Sequence, residues 1–363
     1  MSVPANTPPE RAGAVAWADP ARAAAFTRWL DALARDQQLL PATLRPASAD
    51  ASFRRYLRID AADGSSRIIM DAPPAQEDCR PFVAVDRLMA DAGLNVPRIA
   101  AWDEALGFML MTDLGTLTMI EVVEPEPARH TQQLYLRAID ALVAWQVASR
   151  PGVLPAYDGA LLARELALFP DWYLARHRGI AVEGAVRETL DQAFQLIVER
   201  NLAAPTVYVH RDFMPRNLMI PYDPAEPRLG VLDFQDAVEG PITYDIASLM
   251  RDAFLSWGEE FVLDITVRYW QAAQQARLPV DPDFGEFYRG VEWMGLQRHL
   301  KVAGIFARLT LRDGKPKYLA DAPRFIGYIR ATASRYRELA PLLRLVDQVE
   351  GSQPATAYAF GRL

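Results

Sequence analysis

The chain has 363 residues, of which 51% are hydrophobic and 23% charged, and its formal net charge is −7. This length permits one large bilobal unit or two domains, and the composition is that of an ordinary globular protein. The negative charge argues against a general binder of nucleic acid or anionic membranes, and the single cysteine, Cys79, excludes an intrachain disulfide framework.

The first 112 residues alternate between helical and strand patterns. Residues 1–19 lack the order of a signal peptide, and no apolar run approaches the roughly 20 residues that cross a bilayer, so we expect a cytoplasmic location without membrane contacts. We also expect a monomer, although no sequence pattern determines the oligomeric state. Apolar residues at helical or alternating spacing predict the elements that follow. They are a helix over 20–40, hairpin strands at 53–59 and 67–70, a helix at 82–89, and strands at 96–102 and 108–111. This pattern predicts a small β-rich lobe.

Residues 112–115 have the character of a hinge, and helical patterns dominate after it. The predicted helices span 132–148, 160–175, 186–200 and most of 242–349, and short strands are predicted at 207–210, 218–220 and 229–233. We therefore predict an α+β, bilobal fold. Its β-rich lobe would span 1–112 and its helical lobe 113–363, with the ligand in the cleft between them.

The polar loop after the strand at 207–210 has the residue types that phosphoryl transfer requires. It contains His210, Asp212 and Asn217, and Asp233 ends the next apolar run. An aspartate at position 212 can accept the proton of an attacking hydroxyl, while Asn217 and Asp233 can hold magnesium against the phosphates. Each residue alone has an ordinary explanation, as a turn aspartate or a core histidine. Together, between strands, they predict a kinase. The bilobal fold is then predicted to be protein-kinase-like, with a nucleotide-binding lobe over 1–112 and a catalytic and substrate lobe over 113–363.

The chain resembles the superfamily of aminoglycoside phosphotransferases and choline kinases. Within it, the chain is similar to the bacterial N-acetylmuramate/N-acetylglucosamine anomeric kinases of cell-wall recycling. Besides the catalytic loop, the strings that carry this resemblance are SADASFRRY at 48–56, IMDAPP at 69–74, ELALFPDWY at 165–173, DFQDA at 233–237, GPITYD at 240–245, QRHLK at 297–301 and RDGK at 312–315.

The resemblance implies phosphorylation, with ATP and Mg²⁺, of the anomeric hydroxyl of two amino sugars, N-acetylmuramate and N-acetylglucosamine. The sugar 1-phosphates would feed peptidoglycan recycling toward UDP-N-acetylmuramate. It implies that Asp212 is the catalytic base, that His210 supports the loop and that Asp245 braces it from below. It also implies that the backbone from Met111 to Asp113 binds adenine.

The phosphate-binding end of the first lobe departs from related kinases. The hairpin tip at 48–52 has no glycine, so the hydroxyls of Ser48 and Ser52 are candidates to bind phosphate, and Asp50 is expected to point away or to engage an arginine. Met70 and Asp71 stand where the usual phosphate-binding lysine would be. The candidate replacements are Arg54 and Arg55, although both also fit ordinary solvated strand residues.

Polar groups of the helical lobe are the candidates for sugar recognition, because directional hydrogen bonds discriminate hydroxyl and acetamido groups. They are Glu165, Gln235 and Asp236, with Arg298 or Lys301 for a lactyl carboxylate and Trp172 to stack on the pyranose. Core packing is the alternative for Trp172, and an exposed helix charge is the alternative for Glu165 and Arg298.

Two other functions stay open at the level of sequence. The acceptor could be an aminoglycoside, choline or another amino alcohol, for which the acidic stretch 257–260 and the net charge give some support. The missing lysine and glycines also fit a catalytically inactive nucleotide-binding module. The complete set of Asp212, Asn217 and Asp233 argues against that second alternative, since binding alone does not require it.

Overall fold

The structure is a computed structural model and describes residues 15–49, 53–124 and 129–351. The predictions for Asp50 and Ser52 therefore lie outside the described residues. Within the described ranges, no helix is both long enough and apolar enough to span a membrane.

The first part of the chain is a five-stranded antiparallel sheet with the strand order β1-β2-β3-β5-β4. Its elements are α1 (Pro20–Ala34), β1 (Arg45–Ala49), β2 (Arg55–Asp60), β3 (Ser66–Asp71), α2 (Arg80–Asp91), β4 (Ile99–Asp103) and β5 (Phe108–Thr112). The predicted hairpin, α2 and the last two strands are confirmed. The first helix ends earlier than predicted, and β1 was not predicted.

The second part is mainly helical. Its helices are α3 (Met119–Val122), α4 (Arg129–Val147), α5 (Gly159–Leu166), a π-helix (Phe169–His177), α6 (Gly184–Leu202), α7 (Tyr244–Met250), α8 (Glu259–Gln275), α9 (Phe284–Leu311), α10 (Ala322–Arg335) and α11 (Ala340–Glu350). Its short strands are β6 (Thr206–Val209), β7 (Leu218–Met219), β8 (Gly230–Val231) and β9 (Val238–Pro241). This succession confirms the α+β class, whereas the domain boundary after residue 112 stays a prediction.

One predicted helix, at 160–175, is wrong as a continuous element. The α-helical turn ends at Leu166 and the chain continues as the π-helix. Pro170 lacks a backbone N–H, so it fits the first turn of a new helix better than the interior of an old one.

The described residues form three hydrophobic cores that support the site. The inner core joins the cleft-facing side of the sheet to α2 and to the second part, with Met70, Phe82, Trp145 and Phe234 among its members. The outer core lies under α1 and includes Phe26, Leu57 and Ile69. The helical core, around Phe169, Trp293 and Phe325, fixes α9 and α10. Because alternate strand residues face opposite cores, the partners of a strand side chain tell whether it faces the cleft.

Candidate active site

A buried carboxylate holds the backbone of the loop that follows β6. Asp245, in the first turn of α7, accepts hydrogen bonds from the backbone N–H groups of His210 (2.7 Å) and Arg211 (3.0 Å). It is fully buried, and burial raises its pKa. Arg211 has a positive φ of 75°, an unfavourable conformation for a residue with a side chain. The two hydrogen bonds therefore fix the turn that presents Asp212.

A second set of bonds holds the same turn from α5 and α9. The Arg211 guanidinium pairs with Glu165 at 2.6 Å, and Arg298 donates to the Arg211 carbonyl at 2.7 Å. Lys301 also pairs with Glu165, at 2.8 Å. Burial alone would raise the pKa of Glu165, but the charges of Lys301 and Arg211 lower it to about 2. The network is therefore ionised and fully engaged at neutral pH.

This network corrects three sequence-based interpretations. Glu165 is not an exposed helix charge, because it is 5% exposed and also accepts hydrogen bonds from Tyr157 and Gln297. Arg298 is 6% exposed, and its guanidinium lies 4.8 Å from the ring centroid of Tyr244. With Lys301 committed to Glu165, all three residues position the catalytic loop, and we no longer expect them to contact a sugar.

His210 is a buried neutral residue at the start of the loop. Burial lowers its pKa, and its Nδ1 accepts a hydrogen bond from the backbone N–H of Asp212 at 3.3 Å. Its ring also meets the ring of Phe213 edge-on, with centroids 5.7 Å apart. The structure thus places His210 under the loop, as expected of a supporting residue.

Asp212, Asn217 and Asp233 meet at the mouth of the loop. The Asn217 amide donates to the Asp212 carbonyl (2.9 Å) and to the Asp233 carboxylate (3.3 Å). Gln235 donates to the other Asp233 oxygen at 2.9 Å. Asp236 is exposed, and its carbonyl lies 3.4 Å from an Arg211 nitrogen. The structure therefore brings together the predicted base, both predicted metal ligands and two predicted sugar contacts.

The donor set of Asn217 and Asp233 fits magnesium. With its amide nitrogen turned to Asp212 and Asp233, Asn217 keeps its side-chain oxygen for another ligand. The described residues contain no group of three or more His, Cys, Asp or Glu side chains able to hold a metal. Magnesium is usually bound by one or two protein ligands together with substrate phosphates and water. A site in which Asn217 and Asp233 supply two ligands and the phosphates of a nucleotide supply others agrees with this coordination.

The two candidate phosphate-binding arginines lie on opposite faces of the sheet. Arg54 lies beside Glu77, with a nitrogen–oxygen distance of 3.4 Å, and close to Tyr56, which packs on the inner core. Arg55 instead pairs with Asp71 at 2.6 Å and stacks on Trp17 at 3.9 Å. Arg55 therefore faces α1, away from the cleft, and only Arg54 stays a candidate. Ser48 pairs with Tyr56 in the β1–β2 ladder.

The predicted adenine site lies where β5 ends. Met111 is a buried strand residue whose side chain belongs to the inner core. The Asp113 carboxylate pairs with Arg58 (2.5 Å) and accepts from Ser66 (2.6 Å), which ties the hinge to the sheet. Within the described part of the chain, neither the Asp113 carbonyl nor the Leu114 N–H makes a hydrogen bond. These two groups are therefore available to a ligand.

Trp172 is placed in the helical lobe, but not as a sugar platform. It lies in the π-helix, packs against the helical core and stacks with Arg176 at 4.0 Å. Its ring face is thus used by a neighbouring side chain, and the core-packing alternative is the better interpretation.

A cavity of about 510 Å³ beside the catalytic loop was missed by the sequence reasoning. Its lining includes Arg216, Phe254 and Lys317. The available signal was the position of Arg216, inside the motif and directly before Asn217. Phe254 and Lys317 had no sequence signal, because their approach to Arg216 depends on how distant helices pack.

Known proteins resemble this chain over most of its length. The model of a family described as phosphotransferase enzyme family matches residues 43–282. A protein of Pseudomonas aeruginosa named N-acetylmuramate/N-acetylglucosamine kinase is 50% identical over 335 residues, covering 90% of this chain and 97% of that relative. A Neisseria meningitidis protein of the same name is 49% identical over 308 residues, covering 85% and 90%.

Solved structures show the same fold at much lower identity. The GDP complex of an aminoglycoside 2'-phosphotransferase-IIIa superposes with a TM-score of 0.58 at 13% identity, covering 86% of this chain and 99% of that one. The bilobal, kinase-like architecture predicted from the sequence is thereby confirmed.

Proposed function

Because the chain belongs to the phosphotransferase enzyme family, we propose that it transfers the γ-phosphoryl group of ATP to the anomeric hydroxyl of N-acetylmuramate and N-acetylglucosamine. It is a phosphotransferase whose acceptor is a hydroxyl group. The observation that carries the choice of sugar is the 50% identity, over 335 residues, to a relative named for these two substrates. The products would be sugar 1-phosphates and ADP.

The chemistry rests on Asp212. An anomeric hydroxyl is more acidic than an ordinary alcohol, so a carboxylate can orient it and accept its proton late in the reaction. The sugar oxygen forms a bond to the γ-phosphorus, the bond to the β-phosphate oxygen breaks, and the proton passes to the Asp212 carboxylate. The bonds of Asp245 and Arg298 to the loop backbone support this role, because they keep the carboxylate in position.

Asn217 and Asp233 would hold the magnesium ion, which when bound neutralises charge on the phosphates. Gln235 supports this assignment because it orients the Asp233 carboxylate from one side while Asn217 approaches from the other. Asp233 has a positive φ of 65°, an unusual conformation that aims its side chain. The protein thus supplies a prepared pair of oxygen ligands.

On the other side of the cleft, Arg54 is our candidate for the cation that binds the α- and β-phosphates. Its neighbour Glu77 would hold it in the way a carboxylate commonly orients a phosphate-binding cation. The free carbonyl of Asp113 and N–H of Leu114 support adenine binding at the hinge. Ser48 and Ser52 stay proposed phosphate contacts.

Gln235 and Asp236 are the remaining proposed contacts to the sugar hydroxyls, since they lie beside the metal ligand Asp233. We also infer that the enzyme acts as a cytoplasmic monomer in the recycling of cell-wall amino sugars. The consumer of a sugar 1-phosphate is expected to be a nucleotidyltransferase, on the route toward UDP-N-acetylmuramate.

The direct test is a substrate panel read by ³¹P NMR, with and without magnesium. The panel contains N-acetylmuramate, N-acetylglucosamine, their 1-O-methyl glycosides, choline and kanamycin. We expect a sugar 1-phosphate from each free amino sugar and no product from the methyl glycosides. Phosphorylated methyl glycosides would place the reaction at another hydroxyl, and phosphorylation of choline or kanamycin alone would discard the sugar proposal.

A further inference from the structure

The cavity beside the catalytic loop presents two cations that the proposed reaction does not use. One wall is the short 3₁₀ turn Pro215–Asn217, which carries Arg216, and another is the 3₁₀ segment Pro316–Asp321, which carries Lys317. α3 closes a third side with Glu121, together with its N-cap residue Thr118. The cavity therefore adjoins the loop that holds Asp212 and is large enough, at about 510 Å³, for part of a small molecule.

Arg216 lies over an aromatic ring and makes no ion pair among the described residues. Its guanidinium carbon lies 4.4 Å from the ring centroid of Phe254, and the residue is exposed. In the described part of the chain it makes no ion pair within 4.0 Å, although its charge acts at longer range on the buried carboxyl of Asp252. Stacking on an aromatic face leaves the N–H groups at the edge of a guanidinium free, and that edge matches a carboxylate in a bidentate geometry.

The acidic side chains of the cavity are already engaged. One Glu121 oxygen accepts from both the N–H and the hydroxyl of Thr118, at 2.7 Å each. Asp321 lies 3.9 Å from Arg324. Lys317, like Arg216, has no ion pair among the described residues, and its ammonium lies 5.3 Å from the Tyr318 ring. Among the described residues, neither cation of the cavity is therefore tied to a carboxylate by an ion pair.

We propose that Arg216, assisted by Lys317, binds the carboxylate of an anionic acceptor in this cavity. For the proposed substrates this group is the lactyl carboxylate of N-acetylmuramate, which N-acetylglucosamine lacks; this assignment rests on the proposed function. Arg298 and Lys301, the cations expected from the sequence to take this role, are buried in the network around Glu165. A sugar with its anomeric hydroxyl at Asp212 would extend its other substituents along the same loop.

The test compares kcat/KM for the two sugars in the wild type, Arg216→Ala, Arg216→Lys and Lys317→Ala. Removing a hydrogen bond to a charged group costs about 10- to 100-fold, so Arg216→Ala should lower kcat/KM for N-acetylmuramate by that factor, mainly through KM. The ratio between the two sugars should shift by a similar factor. The kcat/KM of Arg216→Lys for N-acetylmuramate should lie between the values of the wild type and of Arg216→Ala, because an ammonium cannot bind a carboxylate bidentately.

Arg312→Ala is the matched control, because Arg312 is an exposed arginine at the end of α9 that pairs with Asp313 outside the cavity. Arg312→Ala should leave kcat/KM for both sugars unchanged. If Arg216→Ala lowers kcat/KM equally for both sugars, so that the ratio between them is unchanged, the assignment is overturned. If the wild type phosphorylates neither sugar, the proposed function fails and the assignment falls with it. If the wild type phosphorylates both sugars but Arg216→Ala does not change the ratio of their kcat/KM values, the proposed function stands and only the assignment of Arg216 is wrong.

Discussion

At the scale of single residues, Asp212 is the side chain whose role is most directly testable. Replacing it with asparagine keeps the size and the hydrogen-bonded turn but removes the proton acceptor. We expect kcat to fall by about 10²- to 10⁴-fold, the usual contribution of a general base. Binding of the nucleotide, measured by calorimetry with a non-hydrolysable ATP analogue, should change little. Full turnover by Asp212→Asn would show that another group accepts the proton.

Asp86 provides a prediction about stability rather than activity. It lies on the buried face of α2, one turn after Phe82, with 5% exposure, and one of its oxygens has no hydrogen-bond partner among the described residues. Burial raises its pKa to about 7. Because the folded state therefore prefers the protonated acid, this carboxyl costs stability once the pH exceeds its unfolded pKa, and the cost grows until the pH passes about 7.

Asp86→Asn should therefore be more stable than the wild type at pH 8 and gain much less at pH 5. The difference between the two gains should be about 1–3 kcal/mol, since each pKa unit corresponds to about 1.4 kcal/mol. Urea denaturation at both pH values measures it. Asp91→Asn, at the exposed end of the same helix, is the control and should show no such pH dependence. A gain equal at both pH values would mean that Asp86 does not titrate as described.

The sequence indicated site residues where they lie close together along the chain, and it did so less well where charged side chains pair with residues far away in the sequence. Asp212 and Asn217 belong to one loop, and their spacing, together with Asp233 at the end of the next apolar run, indicated a kinase. Glu165 and Arg298 were misassigned because their partners lie far along the chain, in Arg211 and Lys301. Sequence spacing carries no information about such pairing, whereas burial and charge neutralisation decide it.

At the scale of elements, strand alternation makes the two neighbouring arginines of the first hairpin different. Arg54 lies on the side of Glu77 and α2, and Arg55 lies on the side of Asp71 and α1. Arg54→Ala should raise the KM for ATP by about tenfold or more, the loss of a charge-assisted phosphate contact. Arg55→Ala should leave the KM for ATP unchanged.

Arg55→Ala should instead lower the stability of the protein. It removes one of the two arginines that neutralise the buried Asp71, although Arg22 remains at 2.6 Å. We expect the free energy of unfolding to fall by about 1–3 kcal/mol, as for a buried charge left with fewer hydrogen bonds. If Arg55→Ala rather than Arg54→Ala raises the KM for ATP, the two faces have been assigned the wrong way round.

Elements with a clear period were predicted, and those without one were not. Burial alternates along the second half of β2, β3 has the apolar run Ile68 to Met70, and α2 has a clear apolar face. β1 contains Pro46 and small residues, which give no alternation, and the short β9 is specified by its pairing with β6. The break between α5 and the π-helix lies next to Pro170. The apolar residues at helical spacing on both sides of this proline led to the prediction of one continuous helix over 160–175.

At the scale of the whole molecule, the two parts share one hydrophobic core across the cleft. The inner core runs from Met70 and Phe82 in the first part to Phe234 and Trp145 in the second. The rings of Phe82 and Phe234 lie 4.8 Å apart, which joins α2 to the segment that carries Asp233. Nucleotide groups proposed at Arg54 and the hinge therefore lie on one side of a packed junction and the metal ligands on the other.

A nucleotide that bridges this junction should stabilise the molecule mainly when magnesium is present. At a ligand concentration 100 times its Kd, binding adds about 2.7 kcal/mol, which should raise the Tm by roughly 3–5 °C in a protein of this size. Thermal unfolding with a non-hydrolysable ATP analogue measures this shift. EDTA should remove most of it, and so should Asp233→Asn, because the phosphates then lose the ion that joins them to the second part. Equal shifts with magnesium and with EDTA would contradict the assignment of Asn217 and Asp233 as its ligands.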